Sequence, residues 1–588
     1  MRTKPRSLPG IVAAIIFSLV LVACGSPQGG SPGAPTAAPA DAPTTAPATD
    51  APTVAPAEAP TAAPAATGGV VQIARTAAPD SLNPGAAYLS EAFDLFDLVY
   101  DTLIRTDLRN QPVSGLAKEW KSNEEGTVWT FTLHDDAKWH DGTPVTAEDV
   151  AFTFSTLSSY DSFALQKDYA AGLVSAEVPD PTTVVLTFDA PIANWLERFS
   201  ALYILPKHIW SQFPDATAAA EFTNDAMIGS GPFKLAEYKQ GEFSRLTAVK
   251  DHYDTPPQID EVIFKIYQND DATVQALKTG EVDITGLRPQ FVRALQAESN
   301  VKIEIGNALG FTDIIFNVTA QENCPADVGK CTGHPALKDV KVRQALAHAT
   351  DKQQLIDVML FGLGTPGISF VSPGHGEGFN SSIQDYAFDI AKANQILDEA
   401  GYADSNGDGI REMPNDPSTP LQLRFNWPSD QFTDGARFAE TLGSTWKQAG
   451  VELVPQGLEA DALTSVCCPA FDFDVILWGW GAGPDPASLL YITTTEQIPT
   501  GISESGYSNP EYDQLFVEQG ATVDTAKRKE LLWKLQEILV RDVPYIIPYY
   551  SQAVGAYRSD RVQGFLIDPE GFLSLSGRIN LVRISVVQ

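Results

Sequence analysis

The chain has 588 residues, with 74 acidic against 40 basic side chains and a formal net charge of −34. A body this acidic does not hold nucleic acid or anionic lipid through bulk electrostatics. Beyond the first ~70 residues roughly 520 remain, enough for two or more domains with large cores.

In chain order, Arg2, Lys4 and Arg6 precede an apolar run, Ile11 to Ala23. That run is shorter than the ~20 residues a membrane helix needs and fits the core of a secretory signal. It ends Leu21-Val22-Ala23-Cys24-Gly25, which resembles a bacterial lipobox. We therefore expect a signal peptide over 1–23, cleavage before Cys24 and lipid on its sulfur, anchoring the chain to the outer side of the cell membrane. Residues 24–69 are nearly all Pro, Ala, Thr, Gly and Ser. They bury too little to offset ordering entropy, and dense proline makes such a tether semi-extended. No later apolar run approaches the length of a membrane span.

Of five cysteines, lipidation of Cys24 leaves four, which allow three pairings. An oxidising compartment permits disulfides. Cys324 and Cys331 flank a short turn-rich loop and are the favoured pair. Cys467 and Cys468 either join each other or send one bridge to that loop. No CxxC occurs and no histidine sits beside them, which argues against a metal centre.

Trp129–Trp139 alternates as a strand. HDGTP, residues 140–144, is a turn, because Asp-Gly supplies positive φ and proline cannot continue a ladder. Thr146 with Asp149 three residues on predicts a capping box for the helix that follows. His140 and Asp141 are thereby explained structurally, and no nucleophile or matched base stands near them. Gly362 to Gly367 matches a dinucleotide fingerprint as text, yet a helical pattern precedes it where a strand is required, so it reads as a loop. Asp404, Asn406 and Asp408, with Gly409, resemble the first half of a calcium loop. The twelfth position falls on Asn415, leaving Glu412 or Asp416 as substitutes. The alternative is an Asx-rich turn; if an ion binds, it is a structural calcium, and no other cofactor is expected. Residues 341–360, 434–450 and 525–542 predict amphipathic helices, and 182–188, 421–427 and 471–480 predict strands.

Leu116 to Phe154 resembles the signature region of the family 5 extracellular solute-binding proteins, receptors of ABC importers for peptides, nickel or oligosaccharides. The resemblance continues through Leu205–Trp210, Gly229–Lys234, Ile259–Ile284, the helix after His334, the loop at Asp404, GYSNPEYDQL and VPYIIPYY. It covers essentially everything after the tether. It implies an α/β fold of the two-lobe periplasmic-binding-protein type (type II), with an extra subdomain in the first lobe and two crossover strands as hinge. The expected limits are 70–310 plus 545–588 for the first lobe, with 116–224 as its extra subdomain, and 311–544 for the second. The crossovers are expected at Phe311–Val318 and near Val543–Ser551.

The resemblance implies solute binding without catalysis, delivery to a membrane permease with its ATPase, and a monomer. A peptide is the expected ligand, with an oligosaccharide, nickel or another small solute as alternatives. Outside the family, a secreted hydrolase or an adhesion module are the competing readings. In peptide receptors of this family an acid in the loop after the tryptophan takes the ligand's α-ammonium. Here residues 481–484 are Gly-Ala-Gly-Pro and only Asp485 remains. The Trp-Gly-Ala start resembles the nickel-type receptors, but Pro484 stands where they carry tyrosine. Trp427, Trp478 and Trp480 are candidates for stacking on a ligand, each with a core role as the alternative. Both Trp478 and Trp480 point the same way if the strand includes them. Asn83 and Tyr507 complete the set of ligand-binding candidates.

Overall fold

The computed structural model describes residues 69–160, 163–569 and 571–587. The signal peptide, Cys24 and the tether up to residue 68 lie outside them. One twelve-stranded sheet runs through both lobes. At its centre is the long strand Tyr545–Arg558, buried over most of its length. Its first half pairs antiparallel with Phe311–Phe316, through Thr312 opposite Tyr549 and Ile315 opposite Tyr545. Its second half pairs with Val301–Asn307, from Asn307 opposite Gln552 to Val301 opposite Arg558. The outgoing chain therefore crosses between the lobes at residues 308–310 and returns along the long strand. Gly310 is required there, because a Cβ would lie 2.4 Å from the carbonyl oxygen of Trp480.

Phe311–Phe316 is buried at every position. Ile314 and Phe316 join one second-lobe core with Leu346, Phe425 and Trp446. Phe311 and Ile315 join another with Phe370, Ile476, Leu535 and Tyr550. A strand covered on both faces reads as a nearly continuous apolar run, and each such side chain contributes about 1.5–3 kcal/mol. Asp313 is the one charged residue in it. The return strand is shared between the lobes. Tyr545, Ile546, Ile547, Tyr549 and Tyr550 pack in the second-lobe cores, and Ala556 and Tyr557 in first-lobe clusters. The boundary expected at 545 thus falls inside second-lobe packing.

Within residues 116–224, four antiparallel strands run in the order Ala117–Ser122, Val128–Leu133, Thr183–Phe188, Leu173–Asp180. Trp129, Phe131 and Leu133 alternate inward, and Phe199 of the helix Trp195–Ala201 packs edge-on against Phe131 at 4.8 Å. The strand expected to reach Trp139 ends at Leu133. Beyond it, Lys138 forms only an isolated bridge with Pro144. The capping box is present: Thr146 N–H donates to Asp149 at 2.9 Å. His140 lies 3.0 Å from the Gly231 carbonyl, and Asp141 takes the Thr143 N–H and the His208 ring. The helix expected over 341–360 is two, Val340–His348 and Lys352–Leu360, because Asp351 caps the second by accepting from Gln354 N–H. Cys324 is bonded to Cys331 and Cys467 to Cys468.

Candidate functional site

The lobes meet where the helix Trp195–Ala201 of the first approaches the loop after Val475–Trp480 of the second. A Cβ on Gly483 would lie 2.6 Å from Oε1 of Glu197, so glycine allows that approach. The Gly483 carbonyl lies 3.0 Å from Nε2 of buried His375. The turn carrying His375 is tied to the outgoing crossover, since the Ser372 hydroxyl lies within hydrogen-bonding distance of the carbonyls of Ala308 (3.0 Å) and Leu309 (3.1 Å), either of which accepts its proton. It is also tied to the first lobe, since Asn110 Nδ2 donates to the Gly374 carbonyl at 3.0 Å.

Four of the six expected ligand-binding residues are instead committed to the protein. Asp485, 5% exposed, receives both terminal nitrogens of Arg528 at 2.7 and 2.8 Å and caps Ala487 N–H at 2.8 Å. Both of its oxygens are thereby engaged in bracing the loop. Trp427 is a core aromatic whose ring lies over Gly435 and Gly457. Asn83 is fully buried; its amide donates to the carbonyls of Ala219 and Phe222, and its oxygen accepts Gly85 N–H. Tyr507 donates to Asp542 at 2.6 Å and accepts from Asn509 at 2.9 Å inside the second lobe. Trp478 and Trp480 are partly exposed and, both lying on the strand, pack against the same core.

Four carboxylates that sequence reasoning missed lie where the lobes meet. The Trp480 indole N–H donates to Glu504 at 3.1 Å. Burial pushes Glu504 up to about 8, against the lowering effect of that hydrogen bond. Burial, then the charge of Glu504, raises Asp313 far above the carboxylate range. Glu197 is pushed up to about 8 by burial and by Asp485, with Arg528 and Arg198 opposing. Asp168, beside it, reaches about 6 through burial, offset by Arg198 and Lys167. The charges of Glu504, Asp168 and Glu197 all raise Tyr491, after burial, which places carboxylates of both lobes around one phenol. An aspartate inside FTDIIF was the one signal in the sequence.

The calcium-like loop lies far from this cleft in sequence. Asp404 accepts from Gly407 N–H and Gly409 N–H, Asn406 from Asp408 N–H, and Asp408 from Ile410 N–H. Asp404, Asp408 and Glu412 offer carboxylate oxygens within 4.8 Å of one another. Asp416 turns instead to Ser418 and Thr419.

Residues 111–499 match the family described as bacterial extracellular solute-binding proteins, family 5 middle. The oligopeptide-binding protein AppA of Bacillus subtilis is 27% identical over 489 residues, covering 82% of this chain and 86% of that protein. The dipeptide-binding protein of Escherichia coli is 25% identical over 527 residues, covering 84% and 91%. Among solved structures, the substrate-binding protein CtaP of Listeria monocytogenes superposes with a TM-score of 0.74 at 25% identity, over 89% of this chain and all of that one. Bacillus subtilis AppA in complex with a nonapeptide superposes with a TM-score of 0.67 at 25% identity, over 89% and 99%.

Proposed function

The chain belongs to the bacterial extracellular solute-binding proteins, family 5, and from that premise we propose that it captures oligopeptides between its lobes and hands them to an ABC permease. The observation that carries this reading is the cleft itself: aromatic and carboxylate side chains from both lobes converge where two crossover strands join them. The relatives named for oligopeptide and dipeptide binding support peptide as the solute. A ligand that touches both lobes shifts the population towards the closed form, and the closed form is what the permease engages. Cys24 lipidation, which lies outside the described residues, would hold this monomeric receptor at the membrane surface through its tether. Binding of a random pentapeptide pool to the purified chain, followed by calorimetry, tests the reading; heat with an oligosaccharide pool and none with peptides would contradict it.

Trp480→Ala should weaken peptide affinity by roughly 10- to 100-fold, the range of a buried aromatic anchor. Trp427→Ala should lower stability and leave affinity within a few fold, since Trp427 fills a core. Equal affinity losses in the two variants, measured by calorimetry, would contradict the assignment of Trp480 to the cleft.

Closure should also depend on pH. Separating the lobes removes Gly483 and Asp485 from Glu197 and returns it towards its ordinary value near 4.5. With the lobes together as in this structure, burial and Asp485 hold it at about 8. A raised acid favours the state in which it is protonated, so closure strengthens as pH falls from 8 towards 4.5 and weakens as pH rises through that window. Asp168, Tyr169, Tyr491, Asp485, Arg198 and Arg528 face the same region and contribute their own charges. Glu197→Gln should flatten the dependence of the radius of gyration on pH, read by small-angle scattering. An unchanged slope would remove Glu197 from this role.

A further inference from the structure

Asp313 is fully buried, and neither of its carboxylate oxygens has a hydrogen-bond partner. Glu504 is close enough for its charge to act on Asp313 and is itself 6% exposed. Its carboxylate accepts the Trp480 indole N–H. No basic side chain among the described residues forms an ion pair with either acid, although Asp485, Asp101 and Asp283 each have an arginine. Next to Glu504 in the chain, the buried hydroxyl of Ser503 is also without a partner. Two buried carboxylates close enough for one charge to act on the other cannot both ionise freely without a cation. Burial of unpaired acids on a crossover strand is costly and persists where something compensates it.

The walls say which cation fits. Asp313 shares its strand face with Phe311 and Ile315. Phe311 stacks on Phe370 at 4.9 Å, and Tyr545 meets Phe370 edge-on at 4.7 Å. Tyr545 feels the charges of both Glu504 and Asp313. Trp480, partly exposed at the cleft edge, covers Glu504. Aromatic and aliphatic walls that end in two acids match an apolar stem with a charged tip. An α-ammonium carries no such apolar stem.

We propose that Asp313 and Glu504 form a second-lobe subsite for the lysine or arginine side chain of the ligand, entered past Trp480. The proposal rests on the peptide reading above and narrows it to peptides with a basic residue. The subsite is satisfied by the ligand's own cation and holds only half of its ion pair in its absence.

The test uses the full chain in detergent and two synthetic pentapeptide pools. In one, lysine occupies each position in turn; in the other, uncharged norleucine replaces it. Calorimetry should show the lysine pool binding at least about tenfold more tightly. In the Asp313→Asn, Glu504→Gln double variant the ratio of the two pools' affinities should fall towards one, which removes that advantage. Glu504→Gln alone, nearer the cleft, should lose most of it and guards against misfolding of the double variant. Equal binding of both pools to the unmodified protein, or a lysine advantage that survives both variants, would overturn the subsite and leave the peptide reading standing. Binding of neither pool would overturn both.

Discussion

Asp101→Asn should lower the stability of the first lobe by about 3–5 kcal/mol, the cost of breaking a buried ion pair by removing one partner. Asp101 is fully buried, pairs with Arg578 and accepts the Ser230 hydroxyl at 2.9 Å. Arg578 also donates to the Tyr100 carbonyl at 3.1 Å, so the cluster clamps the C-terminal segment to the end of the helix Ser90–Val99. Burial pushes the Asp101 carboxyl up, but Arg578, His252 and Arg105 together outweigh it and hold it far below the carboxylate range. A depressed acid stabilises the fold above its unfolded value, about 3.9, and that contribution is lost as pH falls below it. The unmodified protein should therefore lose first-lobe stability in acid, and Asp101→Asn should lose less over the same range. Denaturant unfolding at neutral pH and in acid reads both effects. Replacing both partners, Asp101→Asn with Arg578→Met, should recover part of the loss, because no lone buried charge remains. A single variant within about 0.5 kcal/mol of the parent, the range of ordinary surface changes, would contradict the clamp.

The second large effect is expected at Arg528. Arg528→Met leaves Asp485 buried beneath the cleft loop without its bidentate partner, at a cost again of about 3–5 kcal/mol to the second lobe. The loop 481–487 then loses its brace, and peptide affinity falls with it. Arg528→Lys should restore only part of both, since an ammonium cannot match the carboxylate with two parallel donors. Calorimetry and thermal unfolding of the same samples separate the two losses. If Asp485 were instead the acid that takes a ligand ammonium, freeing it from Arg528 would raise peptide affinity.

The strands next to the hinge were legible because FTDIIFNV and VPYIIPYYS are long apolar runs of the kind a strand buried on both faces requires, but both runs pack in second-lobe cores and the outgoing crossing itself falls at residues 308–310. The Thr146–Asp149 cap was legible because its partners are three residues apart. The site was less so, because its partners are far apart in the chain. Asp485 and Arg528 are separated by 43 residues, and Arg528 reads as one basic residue among several on an amphipathic helix. Glu197, in WLERFSA, reads as a surface acid until the second lobe closes over it. Asn83 and Tyr507 were candidates for exposed polar work, yet each is used up by carbonyls or carboxylates that local pattern does not reveal. Trp427 and Trp480 sit in similar aromatic strands, and only the glycines facing Trp427 set them apart.

Native mass spectrometry of the protein as purified tests the central claim most directly. Capture of peptides between the lobes predicts a mass excess that resolves into a ladder of peptide masses and is lost in Trp480→Ala. A hexose-spaced ladder on the unmodified protein would contradict it.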